Sequence, residues 1–157
     1  MIKQVILDVC CGSKMFWFDK QNPHVVFNDI RYENYVLCDG RKLEIKPDCC
    51  MDFRDLKFKD NSFKLIVFDP PHLTKLGEKS WMAKKYGILN KNWPQDIKKG
   101  FNECWRVLDN NGVLILKWGT RDIKIKELLK ILDKKPLFGH TTKASGNTIW
   151  MCFMKLK

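Results

Sequence analysis

The sequence predicts one α/β domain, a mostly parallel sheet with helices on both faces, and three observations carry that reading. Short apolar runs alternate with segments of helical period from the first residues onward, the pattern of parallel strands joined by helical crossovers. Those runs lack the polar alternation of a half-solvated strand, as expected for strands covered on both sides. The chain has 157 residues with no repeat and no linker-like stretch, so residues 1–157 form a single domain with enough length to bury a core.

The elements follow in order. Residues 5–9, Val-Ile-Leu-Asp-Val, form a buried strand that runs to Gly12, and a helical turn or more follows until Asn22-Pro23 breaks it. Residues 24–28 form a second strand, with Asp29 after it. Residues 35–38 and 41–45 flank Asp39-Gly40, a two-residue hairpin signal. Residues 47–51 make a short third strand of the main sheet, and residues 63–68 a fourth, after the turn Asp60-Asn61-Ser62. From residue 73 to 94 the pattern is lost in a long loop, of a length that is functional or disordered in most compact domains. Ile97, Phe101, Cys104, Trp105 and Leu108 then fall on one helical face, with Pro94 in the first turn and Asp109-Asn110-Asn111-Gly112 ending the helix. Residues 113–117 form the fifth strand. Thr120 is placed to cap a helix whose apolar face is Ile125, Leu128, Leu129 and Leu132, and Pro136 stops it. Residues 137–142 and 148–154 close the fold as an antiparallel hairpin around Ser145-Gly146-Asn147. The sheet then has seven strands.

Composition narrows the function. Apolar residues make up 45% of the chain and aromatics 12%, so it is globular, and no apolar run approaches a membrane span. The start, Met1-Ile2-Lys3-Gln4-Val5, lacks the anatomy of a signal peptide, so a cytoplasmic protein without a membrane partner is expected. The seven cysteines include the adjacent pairs Cys10-Cys11 and Cys49-Cys50, with no Cys-x-x-Cys and no zinc spacing. They read as reduced small core residues, with no metal site. The net charge of +11 favours a polyanionic partner. Lysine supplies most of it and suits phosphate contacts better than bidentate reading of bases.

In open α/β sheets a ligand binds beyond the carboxyl ends of the strands, so the residues that leave each strand matter most. They are Asp8-Val9-Cys10-Cys11-Gly12-Ser13, then Asp29, then Asp52-Phe53, then Asp69-Pro70-Pro71-His72. A glycine turn followed 17 residues later by an acid suits a nucleoside whose ribose hydroxyls the carboxylate accepts. Two prolines fix the backbone and remove two donors. Carbonyl oxygens and the Asp69 carboxylate then make an acceptor-rich pocket for an amino group, and His72 can stack on a base.

This order of acids, with Asp69-Pro70-Pro71-His72 at its centre, resembles the class I methyltransferases that use S-adenosylmethionine, over nearly the whole chain. More narrowly it resembles the amino-directed branch acting on adenine or cytosine, and short phage-type members with Asp-Pro-Pro-His after the fourth strand and Lys117-Trp118 after the fifth. The resemblance implies a Rossmann-like fold and methyl transfer to an exocyclic amine of DNA, adenine N6 ahead of cytosine N4, or of RNA. It also implies cofactor contacts from Asp8, Cys10 and Gly12 along the methionine part, Asp29 at the ribose, and Asp52 and Phe53 at the adenine. Asp69, Pro70, Pro71 and His72 would hold the target amine. The chain departs from the pattern in its poor glycine loop, with Cys10-Cys11 at positions for small residues, and in His72 where Tyr, Phe or Trp is usual. No Pro-Cys nucleophile is present, which argues against covalent catalysis.

A base inside a duplex must be flipped out to reach such a pocket. The loop at 73–94 carries Lys75, Lys79, Lys84, Lys85 and Lys91 against Glu78 alone, with Trp81, Tyr86 and Trp93 interleaved. Lysines there would follow phosphates while Trp81 and Tyr86 stack on exposed bases. No separate recognition segment remains, so relaxed or short sequence specificity is expected. A cofactor-binding or nucleic-acid-binding module without catalysis is the alternative of a different class.

Overall fold

In the computed structural model, residues 3–37, 39–77, 80–141 and 146–157 are described. The strands are β1 (Ile6–Asp8), β2 (Val25–Phe27), β3 (Glu33–Val36), β4 (Lys42–Ile45), β5 (Phe63–Phe68), β6 (Leu108–Gly119), β7 (Phe138–Thr141) and β8 (Thr148–Met154). The helices are α1 (Trp81–Tyr86), α2 (Trp93–Val107) and α3 (Ile125–Ile131). A six-stranded sheet runs in the order β2-β1-β5-β6-β8-β7, and β3-β4 stand apart as a two-stranded antiparallel hairpin. β2, β1, β5 and β6 pair in parallel, whereas β8 is antiparallel to both β6 and β7.

The parallel centre buries apolar side chains from each strand, with Asp8 at the end of β1 as a buried carboxyl. Leu7 aligns with Val26 on one side and Ile66 on the other, and Leu7 and Ile66 are fully buried. α2 presents Ile97, Phe101, Cys104 and Val107 to Leu114, Leu116 and Trp118 of β6, and Leu128 of α3 joins the same core. A buried side chain of the size of Phe101 stabilises by roughly 1.5–3 kcal/mol relative to leaving it exposed.

Five local readings differ from the sequence expectation. The main sheet has six strands among the described residues, because the expected third strand survives as an isolated parallel bridge, Asn28 to Cys49. The buried Asn28 side chain takes over the pairing: its amide donates to the Val9 and Met51 carbonyls and its oxygen accepts Met51 N–H. Turns replace the helix expected after β1, and aromatics from that segment cover their own side of the sheet. Phe16 meets Trp150 edge-on at 5.5 Å and Trp17 meets Phe27 edge-on at 5.2 Å.

The segment expected to be a loop at 73–94 contains α1, capped by Ser80 Oγ accepting Ala83 N–H at 3.0 Å. β6 begins at Leu108, directly after α2, so Asp109-Asn110-Asn111-Gly112 lies within a strand whose register shifts opposite Phe63 and Leu65. The last carbonyls of α2 and its C-cap are met from a distance, where Lys155 Nζ donates to Trp105 O and Leu108 O. Lys124, not Thr120, occupies the N-cap position of α3. Among the described residues no helix is long and apolar enough to cross a membrane.

Candidate active site

A cavity of about 310 Å³ opens where β1, β2 and β5 end, within the size range of small-molecule sites. The turn after β1 contributes Val9 to Ser13, the exit of β2 contributes Asp29, and Asp52-Phe53 and Asp69-Pro70-Pro71-His72 close the floor. Thus Cys10, Gly12, Asp29, Asp52, Phe53 and all four residues of the Asp-Pro-Pro-His run meet in one space. Asp8 does not line it. Its carboxylate is fully buried, with Oδ2 accepting the Trp17 indole N–H at 2.6 Å and Oδ1 accepting no hydrogen bond among the described residues.

Each carboxylate that faces the cavity is engaged by a cation. Asp29 accepts Gly12 N–H at 2.9 Å and holds Arg31 through its backbone N–H and its guanidinium. The other end of Arg31 donates to the carbonyl of Lys84 in α1 at 2.8 Å, which ties the basic segment to the β2 exit. Asp52 is gripped by Arg54, whose NH1 reaches on to Asp96 in the first turn of α2 at 2.9 Å. The Arg54 hydrogen bonds, opposed by partial burial, hold the Asp52 carboxyl below its ordinary range. Asp69 accepts Lys117 Nζ at 2.5 Å, with the two side chains only 15% and 19% exposed. Burial pushes the Asp69 carboxyl up, and Lys117 opposes that shift.

Two glycines make room for the rings of the site. A Cβ at Gly119, where β6 ends, would lie 2.3 Å from His72 Cδ2, so the imidazole rests against bare backbone. A Cβ at Gly100 in α2 would lie 2.3 Å from the Phe53 ring, which packs edge-on against Phe68 at 5.5 Å. His72 is further bounded by Tyr86 and Trp118, at ring distances of 6.5 and 6.1 Å, and its Nδ1 lies 3.3 Å from the Pro70 carbonyl. Burial lowers the His72 pKa against the opposing pull of Asp69 and the Pro70 carbonyl, which favours the neutral ring. It forms a fixed wall of the cavity. Burial also raises the thiols of Cys10 and Cys11, which removes them as thiolate nucleophiles.

The basic residues divide. Lys85 and Tyr86 line the cavity, and Gly87 to Asn90 follow them along its rim. Trp81 is 45% exposed beside them, with Lys85 Nζ 5.9 Å from its ring. Lys75, Lys84 and Lys91 lie off the cavity, although Asp122 secures the start of this segment by accepting Thr74 and Lys75 N–H. Lys79 lies outside the described residues. Trp93 turns inward and stacks at a tilt near Trp118, 6.4 Å away. Sequence reasoning missed Arg31, Arg54, Phe16 and the role of Lys117. The repeated Asp-x-Arg spacing, Asp29 to Arg31 and Asp52 to Arg54, was the available signal for the arginines. Nothing local to Lys117 announced its partner 48 residues away.

No protein-family model and no curated protein sequence matches the chain. Solved structures do. A SAM-dependent methyltransferase from Methanosarcina mazei superposes with a TM-score of 0.57 at 15% identity, covering 99% of this chain and 94% of that one. The N-methyltransferase NodS from Bradyrhizobium japonicum gives 0.56 at 13% identity, covering 99% and 88%. The PH0226 protein from Pyrococcus horikoshii gives 0.59 at 12% identity, covering 99% and 82%. At these identities the likeness concerns architecture, and the architecture of this chain is the Rossmann-like α/β fold that these structures share.

Proposed function

We propose that the chain is an S-adenosylmethionine-dependent methyltransferase that modifies an exocyclic amino group of a base in DNA, adenine N6 ahead of cytosine N4. The observation that carries this reading is the meeting of the Asp69 carboxylate and the Pro70 carbonyl with Asp29 and Asp52 in one cavity. The first pair accepts the two hydrogens of an amine, and the second pair suits the hydroxyls and amine of a nucleoside.

The donor set fits the cofactor on condition that the arginines holding Asp29 and Asp52 move aside. All four acceptor positions of Asp29 are occupied by Gly12 and Arg31, so ribose hydroxyls would bind there as the Arg31 guanidinium withdraws. That side chain is 22% exposed and has a path to solvent. Asp52 is held in the same way by Arg54, and would meet the adenine amine as that guanidinium, 39% exposed, withdraws, with Phe53 against the ring. When bound, S-adenosylmethionine supplies a methyl group already activated on a sulfonium and leaves as a neutral thioether. Pro70 and Asp69 would hold the amine so that its lone pair faces that methyl carbon, and alignment is the main requirement. As the nitrogen gains the methyl group it gains positive charge, which the Asp69 carboxylate stabilises before taking the excess proton. His72 and Tyr86 would confine the plane of the base.

The net charge of +11 and the rim at Lys85, Tyr86 and Trp81 support a nucleic-acid substrate over a small amine. Incubating the protein with isotopically labelled cofactor and separate DNA and RNA pools, then identifying the modified nucleoside by mass spectrometry, tests the proposal. Label in N6-methyladenine from DNA is the expected result. Label in RNA alone reassigns the substrate, and transfer only to small amines or protein contradicts the reading.

A further inference from the structure

We infer that Lys117 is a positioning residue for the target amine: its ammonium holds Asp69 Oδ2 and leaves Oδ1 to accept an amine hydrogen. This inference rests on the proposed methyl transfer, but its structural part stands on separate geometry. Alternate residues of a strand face opposite sides. Leu114, Leu116 and Trp118 of β6 enter the core with α2, while Lys117 falls on the other face, between the rings of Phe16 and Trp150. Nζ lies 5.6 Å and 5.7 Å from the two ring centroids, within the range at which an aromatic face attracts a cation. Trp150 is the register partner of Lys117 on β8, and Phe16 meets Trp150 edge-on. The ammonium is therefore steered from two sides towards Asp69, 2.5 Å away. Among the described residues Asp69 Oδ1 accepts no hydrogen bond, and it is not a sealed atom.

The charges around Asp69 explain why it needs a cation. Burial raises its carboxyl, and Lys117 first and His72 second oppose that rise, while Asp69 itself raises Asp8 from β1 and Cys10 from the turn after β1. Neither Cys10 nor Asp8 adds positive charge there, and burial works against a charged His72. Lys117 is the one cation paired with Asp69 among the described residues. Without it burial would push the Asp69 carboxyl further towards its protonated form, and a protonated Asp69 could neither polarise the amine nor accept the proton it sheds. With it, the amine end of the cavity holds one negative and one positive charge. Such a site gives no net attraction to an alkylammonium and suits an uncharged, planar amine.

The test compares wild type with Lys117→Met, which keeps an apolar stem between the two rings, and with Lys117→Arg, which keeps the charge. Lys117→Gln serves the same comparison if the thioether repacks the pocket. The first readout needs no substrate: carbon-detected NMR titration of the Asp69 carboxyl in the ligand-free protein. Its midpoint should move up in the Met and Gln variants and return in Arg, since an adjacent cation lowers a carboxylate by roughly 1–3 units. The second is single-turnover methyl transfer against pH. The acid limb should move up in step, with about a tenfold loss for each unit on its rising side, while cofactor affinity holds within about twofold. A midpoint and an acid limb unmoved in Lys117→Met overturn the inference. If the wild type transfers no methyl group, the methyl-transfer reading fails, and an unmoved titration midpoint would then reject the ion-pair role separately.

Discussion

Asp8 serves the site without entering it. It anchors the Trp17 indole, and through it the turn-rich segment that carries Phe16 to Lys117. Burial, reinforced by the charges of Asp69 and Asp29 and resisted by the Trp17 hydrogen bond, pushes its carboxyl from 3.8 up to about 7. A carboxyl whose folded value lies above its unfolded value binds more protons when folded. Its contribution to stability is present below about pH 4 and is lost as pH rises towards 7. Asp8→Asn keeps an acceptor for Trp17 but cannot ionise. Urea unfolding at pH 4 and pH 8 should therefore show the variant gaining on the wild type as pH rises, by up to about 4 kcal/mol. Stabilities that stay parallel across that range would contradict the assignment. Gly119 makes a second test at this scale. Gly119→Ala places a methyl where the His72 ring lies, so the imidazole must shift by a good fraction of an ångström. Single-turnover transfer should fall by about 10–100-fold while nucleic-acid affinity is nearly unchanged. An unaffected rate would remove His72 from the set of groups that shape the amine pocket.

At the scale of elements, α1 is the part that sequence reasoning resolved least well. A six-residue helix is too short to show periodicity, although Ser80 and Gly87, which cap it, were readable punctuation. α2 was legible because fifteen residues repeat its apolar face four times over. The third strand misled for the opposite reason: its apolar letters are present, but Pro47 lacks an N–H and the Asn28 side chain stands in for the ladder. α1 also sets the prediction that belongs to this scale. Lys85 lines the cavity, and Lys84 is tied to Arg31 by its backbone while its ammonium lies 5.2 Å from the Tyr35 ring centroid. Neutralising Lys84 and Lys85 together should flatten the dependence of log affinity for DNA on log salt by up to about 2. Fluorescence anisotropy between low and physiological salt measures it, and a slope equal to that of the wild type would move the interface away from α1.

Across the whole molecule, the acids that leave the strands were legible because the fold puts strand ends together and chain order reveals which residues those are. Their cations were less so. Arg31 and Arg54 sit two residues from their partners, but Lys117 reaches Asp69 across two paired strands, and only the sheet order brings them together. The completed site thus pairs every cavity-facing carboxylate with a positive group and leaves Asp69 Oδ1 open to an amine. The account stands or falls on Asp69. Its interaction with the amine strengthens as charge develops on nitrogen, so its loss should fall on the chemical step more than on binding. The direct measurement is single-turnover methyl transfer to DNA at saturating cofactor, for wild type, Asp69→Ala and Asp69→Asn. Asp69→Ala should bind cofactor and DNA yet lose transfer by roughly 10²-fold or more, with Asp69→Asn retaining more because it still accepts a hydrogen bond. Transfer by Asp69→Ala at the wild-type rate would contradict the account.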